Sequence, residues 1–282
     1  MSLPRDTGFP IADAENDFLR ARRQQVLASL VRRLRGRADD VNLILPFHEV
    51  IAAVGQLGER YVGLRVVPLE AIVGSVDRTR DFDRQFRPTS TRVRQRWQRL
   101  AVAQRRGEAM PPIDVYKVGE LYFVRDGHHR VSVAHALGLP TIEAYVTEVT
   151  TRISPNGISR PRDIVMKDHR REFVDRVPLP AGYRERISFD VPKRYGDLSA
   201  YVEAWGFRLM QHERTFLTRA EVALRWFDDE YAPVTRMLRQ ADLMDLGTTE
   251  TDAYLNVACL RWQLIRSHDW TDEVFDLIRS NR

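Results

Sequence analysis

Residues Tyr122 to Val146, YFVRDGHHRVSVAHALGLPTIEAYV, decide the fold. An apolar run (Tyr122, Phe123, Val124) meets Asp126 and Gly127. The polar group His128, His129, Arg130 then opens a helical pattern that stops at Gly138 and Pro140, before a second apolar alternation. The order is strand, tight turn, helix, strand. The first N–H groups of such a helix lack internal partners and its macrodipole is positive there, so an anion is favoured. Two imidazoles and a guanidinium in the first turn add donors for phosphate or carboxylate. On a helix starting near His128, Ser132 and His135 extend a polar face from that site while Val131, Ala134 and Leu137 face the core. A second reading stays open. His128 can simply cap the helix, His135 can be a satisfied, partly buried histidine, and Asp126 can complement the dipole.

Just upstream, DVYKV is strand-like, and Gly119 with Glu120 forms a two-residue hairpin turn, Gly first as a type II′ turn prefers, that aims LYFVRD at Asp126. Before it lies the most basic segment. Thr89, Ser90 or Thr91 is expected to cap a helix with Val93, Trp97, Leu100 and Ala101 inward and Arg92, Arg96, Arg99 and Arg106 outward, stopped by Gly107. Arg78 to Arg106 holds ten Arg against Asp81 and Asp83. Seven more Arg between Arg20 and Arg37 have no acid among them, so the net charge of +5 is local basicity on an otherwise acidic chain. Clustered Arg suits a polyanion and equally keeps an exposed helix face solvated.

At the N-terminus, residues 13 to 35 read as a helix with Phe18, Leu19, Val26, Leu27, Leu30, Val31 and Leu34 on one stripe and Gly36 as its end. It is taken first as a packing helix, against its own domain or in a homodimer. A short helix runs from about Pro46 to Val54, followed by the strand-like GLRVVPL. The turn-rich TRISPNGISRPRD after Val149 marks a boundary. Beyond it a helix is expected at 168 to 177, a strand at 187 to 191 (ISFDV), and a helix from Ser199. The capping box Thr218 to Glu221 opens another, with further helices from about Thr251 to Ser267 and from Thr271. Trp226, Phe227, Tyr231, Tyr254, Trp262 and Trp270 read as core. The organisation expected is therefore a basic amphipathic helix in 1–40, an α+β domain in 41–150 and a mostly helical domain in 151–282.

With 282 residues, 43% apolar and 29% charged, the chain can bury two ordinary cores. The single cysteine, Cys259, excludes an internal disulfide framework and reads as an inert thiol in an apolar helical pattern. No apolar run suits a membrane span and MSLPRDTGFPIADAEND lacks the charged-then-apolar design of a signal peptide, so the expectation is a cytoplasmic protein with no membrane partner.

The box DGHHRVSVAHALGLPTIEAYV resembles the second conserved box of the ParB and sulfiredoxin superfamily, and VVPLEAIVGSVDRTRDF resembles its first. Together these stretches span roughly residues 64 to 149. The C-terminal WFDDEYAPVTRML and TETDAYLNVACLRWQL resemble an extension found after ParB-like domains in a bacterial family of unassigned function. The resemblance implies a mixed sheet with helices and nucleotide phosphates bound at the turn. Gly127, His128, His129, Arg130, Ser132, Arg78 and Arg80 would bind the nucleotide (CTP, ATP or ADP), Asp77 and Asp126 would be the catalytic carboxylates, and Asp126 would hold Mg²⁺. If the chemistry goes beyond binding, it is that of a Mg²⁺-dependent phosphotransferase or NTPase. Three departures narrow this. Where sulfiredoxins carry a catalytic cysteine this chain has His128. The Gly-Glu-Arg-Arg turn of chromosome-partitioning ParB proteins and a reader helix pair are both missing. Free-serine kinases, which share the Asp-Gly-His-His-Arg turn, place a glutamate base where this chain has Ser75, Val76 and Asp77. The alternative function is a nucleic-acid-associated regulator or adaptor whose Arg92, Arg96 and Arg99 lie on phosphates without sequence preference.

Overall fold

A computed structural model describes residues 6–34 and 43–265. The expected helix from Thr271, the Gly36 stop and Trp270 lie outside the described residues. The chain divides into two compact units, Met1–Lys167 and Asp168–Arg282.

The first unit is α+β, built on a mixed sheet of six strands: β1 (Leu45–Pro46), β2 (Gln56–Pro68), β3 (Ile72–Ser75), β4 (Ile113–Val118), β5 (Leu121–Asp126) and β6 (Thr141–Thr151). Their order across the sheet is β1-β3-β5-β4-β6-β2. β4 and β5 pair antiparallel around the Gly119–Glu120 turn, with Val118 opposite Leu121. β4 runs parallel to β6, and β3 parallel to β5. β5 therefore lies between β3 and β4, and its C-terminal end is hemmed in by two neighbouring strand ends. The sequence marked only the last part of β2; the strand starts earlier and follows β6 with bulges near Gly58 and Gly63.

Helices α1 (Pro10–Leu34), α3 (Arg94–Arg105) and α4 (His128–Leu137) pack together, while α2 (Phe47–Val54) lays Phe47 on Tyr116 with ring centroids 4.5 Å apart. Trp97 of α3 is fully buried, edge-on to Phe18 of α1 at 5.5 Å. Three expectations change here. In α1 only the first half packs, through Ala14 and Phe18, with Asp13 and Asp17 held by Arg105 of α3; Leu27, Leu30 and Val31 stay exposed. No side chain caps α3, whose first turn is reached by a backbone bond from Arg94 N–H to the Thr91 carbonyl. In α4, Ser132 is as buried as Val131 and Ala134, because α3 covers the face expected to be polar.

The second unit is helical. α5 (Pro161–Arg176) carries the division, and α6 (Ala181–Arg184), α7 (Lys193–Glu213), α8 (Arg219–Trp226), α9 (Ala232–Gln240) and α10 (Glu250–Ile265) follow. The capping box forms: Glu221 N–H donates to Thr218 Oγ1 at 3.3 Å and Thr218 N–H to Glu221 Oε2 at 2.7 Å. Residues 187–191 are not a strand. Among the described residues of this unit there is no strand to pair with, and Ser188 bonds the start of α10, its N–H to Thr251 Oγ1 and its carbonyl from Thr249 Oγ1, while Ile187 and Phe189 enter the core. Trp226, Phe227, Tyr231 and Tyr254 are core, as the sequence indicates. Cys259, in contrast, is exposed. A five-residue π-helix, Phe227–Tyr231, links α8 to α9 and turns Glu230 inward, where it accepts from Tyr201 (2.5 Å) and Tyr254 (3.0 Å). No described helix is long and apolar enough to cross a membrane.

Candidate anion site at the turn after β5

The turn is built around Gly127. Its φ of 100° and ψ of 16° are left-handed, which a side chain disfavours. A Cβ there would also lie 2.4 Å from Ile113 Cγ2 and 3.1 Å from Arg130 Cζ. Glycine is thus required twice, by conformation and by space. The first backbone bond of α4 runs from Val131 N–H to the Gly127 carbonyl at 3.0 Å. The N–H groups of His128, His129 and Arg130 precede it and have no partner among the described residues. A left-handed residue followed by right-handed ones turns such groups toward one point, an anion-binding concavity.

Beside the turn lies a cavity of about 170 Å³. Asp126 to Arg130 form one wall, Arg96 and Leu100 of α3 another, and Arg78 and Pro111 close it. Arg96 has no ion-pair partner among the described residues, and Arg78 reaches Asp81 at 3.1 Å. Burial pushes His128 from the ordinary 6.5 down to about 4, with Arg78 adding to the effect; His129 falls equally far through burial, Arg96 and Arg78. Both rings are neutral at physiological pH. They supply dipoles and hydrogen bonds, and the positive charge comes from the guanidinium groups and the helix end.

Not every residue expected at the site reaches it. Gly127, His128, His129 and Arg78 line the cavity. Arg130 lines it too, but its Nη1 donates to the carbonyls of Pro111 (2.6 Å) and Pro112 (2.5 Å) and its Nη2 to Asp126 at 2.7 Å. Its main work is to tie the turn to the segment before β4. Asp126 is the carboxylate on the wall, and Arg130 already holds it. Asp77 and Arg80 are exposed and lie off the wall; Arg80 contributes its carbonyl to Thr89 Oγ1 at 2.6 Å. Ser132 sits in the core, its Oγ accepting from Trp97 Nε1 at 2.8 Å. No cluster of three or more His, Cys, Asp or Glu able to hold a metal ion occurs among the described residues.

Two residues at the site were not assigned to it from the sequence. Arg96 reads there as part of an outward nucleic-acid stripe; the Trp97 to Ser132 bond docks α3 on α4, which brings its neighbour Arg96 to the turn. Ser75 ends β3 and lies fully buried with its Oγ 2.7 Å from His128 Nε2. Helical spacing from Trp97 could have flagged Arg96, but nothing local flags Ser75, which comes from a strand 53 positions away.

No protein-family model and no curated protein matches the chain. Among solved structures it is similar to a Pnob8-like ParB-N domain, with 14% sequence identity over 79% of this chain and 81% of that one and a TM-score of 0.23.

Proposed function

We propose that the protein binds the phosphates of a nucleotide at the turn after β5. The observation that carries this is one cavity lined by His128, His129 and Arg130, whose backbone N–H groups are unbonded among the described residues, together with Arg78 and Arg96. Donors of both kinds gain most from a multiply charged acceptor, since charge-assisted bonds are about twice as strong as neutral ones. The cavity is smaller than the roughly 300 Å³ or more of an ordinary small-molecule pocket. It suits one or two phosphoryl groups, with sugar and base outside. Mg²⁺ arriving with the phosphates would meet Asp126, at the cost of its pairing with Arg130. Transfer or hydrolysis further needs a base near the attacking oxygen, and Asp77 on the same loop as Arg78 is the residue to test for it.

Calorimetric titration with CTP, ATP, ADP and GTP, each with Mg²⁺, tests the reading. At least one should bind, and Arg78→Ala with Arg96→Ala should weaken it by about tenfold or more per guanidinium. Binding of none, or equal binding by the double variant, refutes it. Asp77→Asn should leave affinity unchanged and abolish turnover if the site is catalytic.

A second reading rests on a separate observation. Arg92, Arg96 and Arg99 are exposed and without ion-pair partners among the described residues, whereas Arg87, Arg94 and Arg105 are paired. If these three neutralise duplex phosphates, log affinity should fall against log salt with a slope of about −3. No binding at low salt, or a slope unchanged when all three become Glu, ends that reading.

A further inference from the structure

We infer that Ser75 is a positioning residue for His128: it holds the imidazole in the tautomer whose Nδ1 carries the hydrogen, leaving Nδ1–H as the ring's donor toward the anion. Ser75 Oγ is fully buried at the end of β3 and accepts the Arg78 backbone N–H at 2.9 Å. Its own hydrogen must then go to an acceptor, because a buried hydroxyl that fails to donate is destabilised. The acceptor within reach is His128 Nε2, 2.7 Å away. An imidazole that accepts at Nε2 and is neutral has its hydrogen on Nδ1. Nδ1 has no partner among the described residues, although His128 lines the cavity.

The same hydroxyl thus governs two walls of the site. Through His128 it sets which ring nitrogen donates, and through the Arg78 N–H it fixes the loop that carries the Arg78 guanidinium. β3 is a firm base for it. Beside Ser75, a Cβ on Gly74 would lie 2.1 Å from Phe123 Cδ1 and 2.7 Å from the Leu45 carbonyl, so the strand is packed hard between β1 and β5. Val76 N–H continues the pairing to the Val124 carbonyl at 3.0 Å. The consequence for binding rests on the phosphate reading above; the tautomer assignment does not.

The test is long-range proton–nitrogen correlation NMR on the full chain labelled with ¹⁵N-histidine, at neutral pH and without ligand. Wild type should show His128 neutral with Nδ1 protonated. Ser75→Ala should turn it to a mixture or to the Nε2–H form, and Ser75→Thr, which keeps the hydroxyl, should restore the Nδ1–H form. Titration with pyrophosphate should then show about tenfold weaker binding for Ser75→Ala, with recovery in Ser75→Thr. An Nε2–H tautomer in wild type overturns the inference, and so does an Nδ1–H tautomer that persists in Ser75→Ala. The wild-type spectrum decides even if the variants fail to fold. If the tautomer is as stated and pyrophosphate does not bind, the phosphate reading falls while the tautomer assignment holds.

Discussion

Two glycines bracket α4, and substituting each by alanine separates conformation from packing at the site. Gly127 and Gly138 are both left-handed, with φ of 100° and 72°. An alanine in that region costs roughly 1–2 kcal/mol, offset by about 0.4–1 kcal/mol from the stiffer unfolded chain. At Gly138 nothing lies within 4 Å of the new Cβ, so the cost ends there. At Gly127 the Cβ would meet Ile113 Cγ2 at 2.4 Å and Cβ at 2.8 Å, both on a buried strand residue of β4 that cannot swing aside. Overpacking of that kind adds about 1–3 kcal/mol. Urea unfolding should therefore find Gly127→Ala less stable than Gly138→Ala by about 1–3 kcal/mol, with the denaturant slope unchanged in both. The clash also pushes the Arg130 guanidinium, 3.1 Å from the same Cβ, so pyrophosphate binding should fail in Gly127→Ala and survive in Gly138→Ala. Equal destabilisation by the two variants would refute the packing argument. Intact binding in Gly127→Ala would refute the placement of the site.

Three further outcomes are expected. Because His128 and His129 titrate near 4 when folded and near 6.5 when unfolded, the unfolded state binds more protons between those values. Stability is fully present above 6.5 and drops as pH falls to 4, by up to roughly 3 kcal/mol for His128 and by less for the more solvent-screened His129; the unfolding free energy of a His128→Gln, His129→Gln variant should show a flatter acid limb than wild type. Trp97→Phe leaves Ser132 Oγ without its donor and should cost about 1–3 kcal/mol, with a double-mutant cycle against Ser132→Ala giving a coupling of about 1 kcal/mol. In the second unit, Arg261 and Glu230 are both buried, with Arg261 Nη2 donating to Tyr201 Oη at 2.8 Å. Arg261→Met strands the Glu230 charge and should cost about 3–5 kcal/mol, whereas Arg261→Met with Glu230→Gln should cost clearly less; equal thermal or urea midpoints for the two would show that the pair does not share one network.

Local rules made most of the elements legible. Gly119 and Glu120 turn the hairpin, Gly127 and Gly138 bound α4, and the Thr218 to Glu221 box opens α8, each through bonds and dihedrals contained within a few residues. Failures arose where a neighbour distant in sequence decides the outcome. Ile187 to Val191 has the alternation of a strand, but a strand is defined by a partner, and the groups available were the hydroxyls of Thr249 and Thr251. The apolar stripe of α1 was visible, but only half of it meets α3. The turn of α8 into a π-helix has no local signal that we find in FDDEY.

For the site, the sequence by itself determined the strand, turn and helix that leave three N–H groups open, because a left-handed glycine before a helix dictates this through backbone geometry alone. It also determined that His128, His129 and Arg130 stand in the first turn. Only the tertiary structure decided what those side chains do. Arg130 is drawn to the carbonyls of Pro111 and Pro112, Ser132 is taken by Trp97, Arg96 is delivered by the packing of α3 on α4, and Ser75 arrives from β3. A hydrogen bond or a desolvated charge depends on whichever group occupies the adjoining space, and that space is filled by strands and helices far apart in the chain.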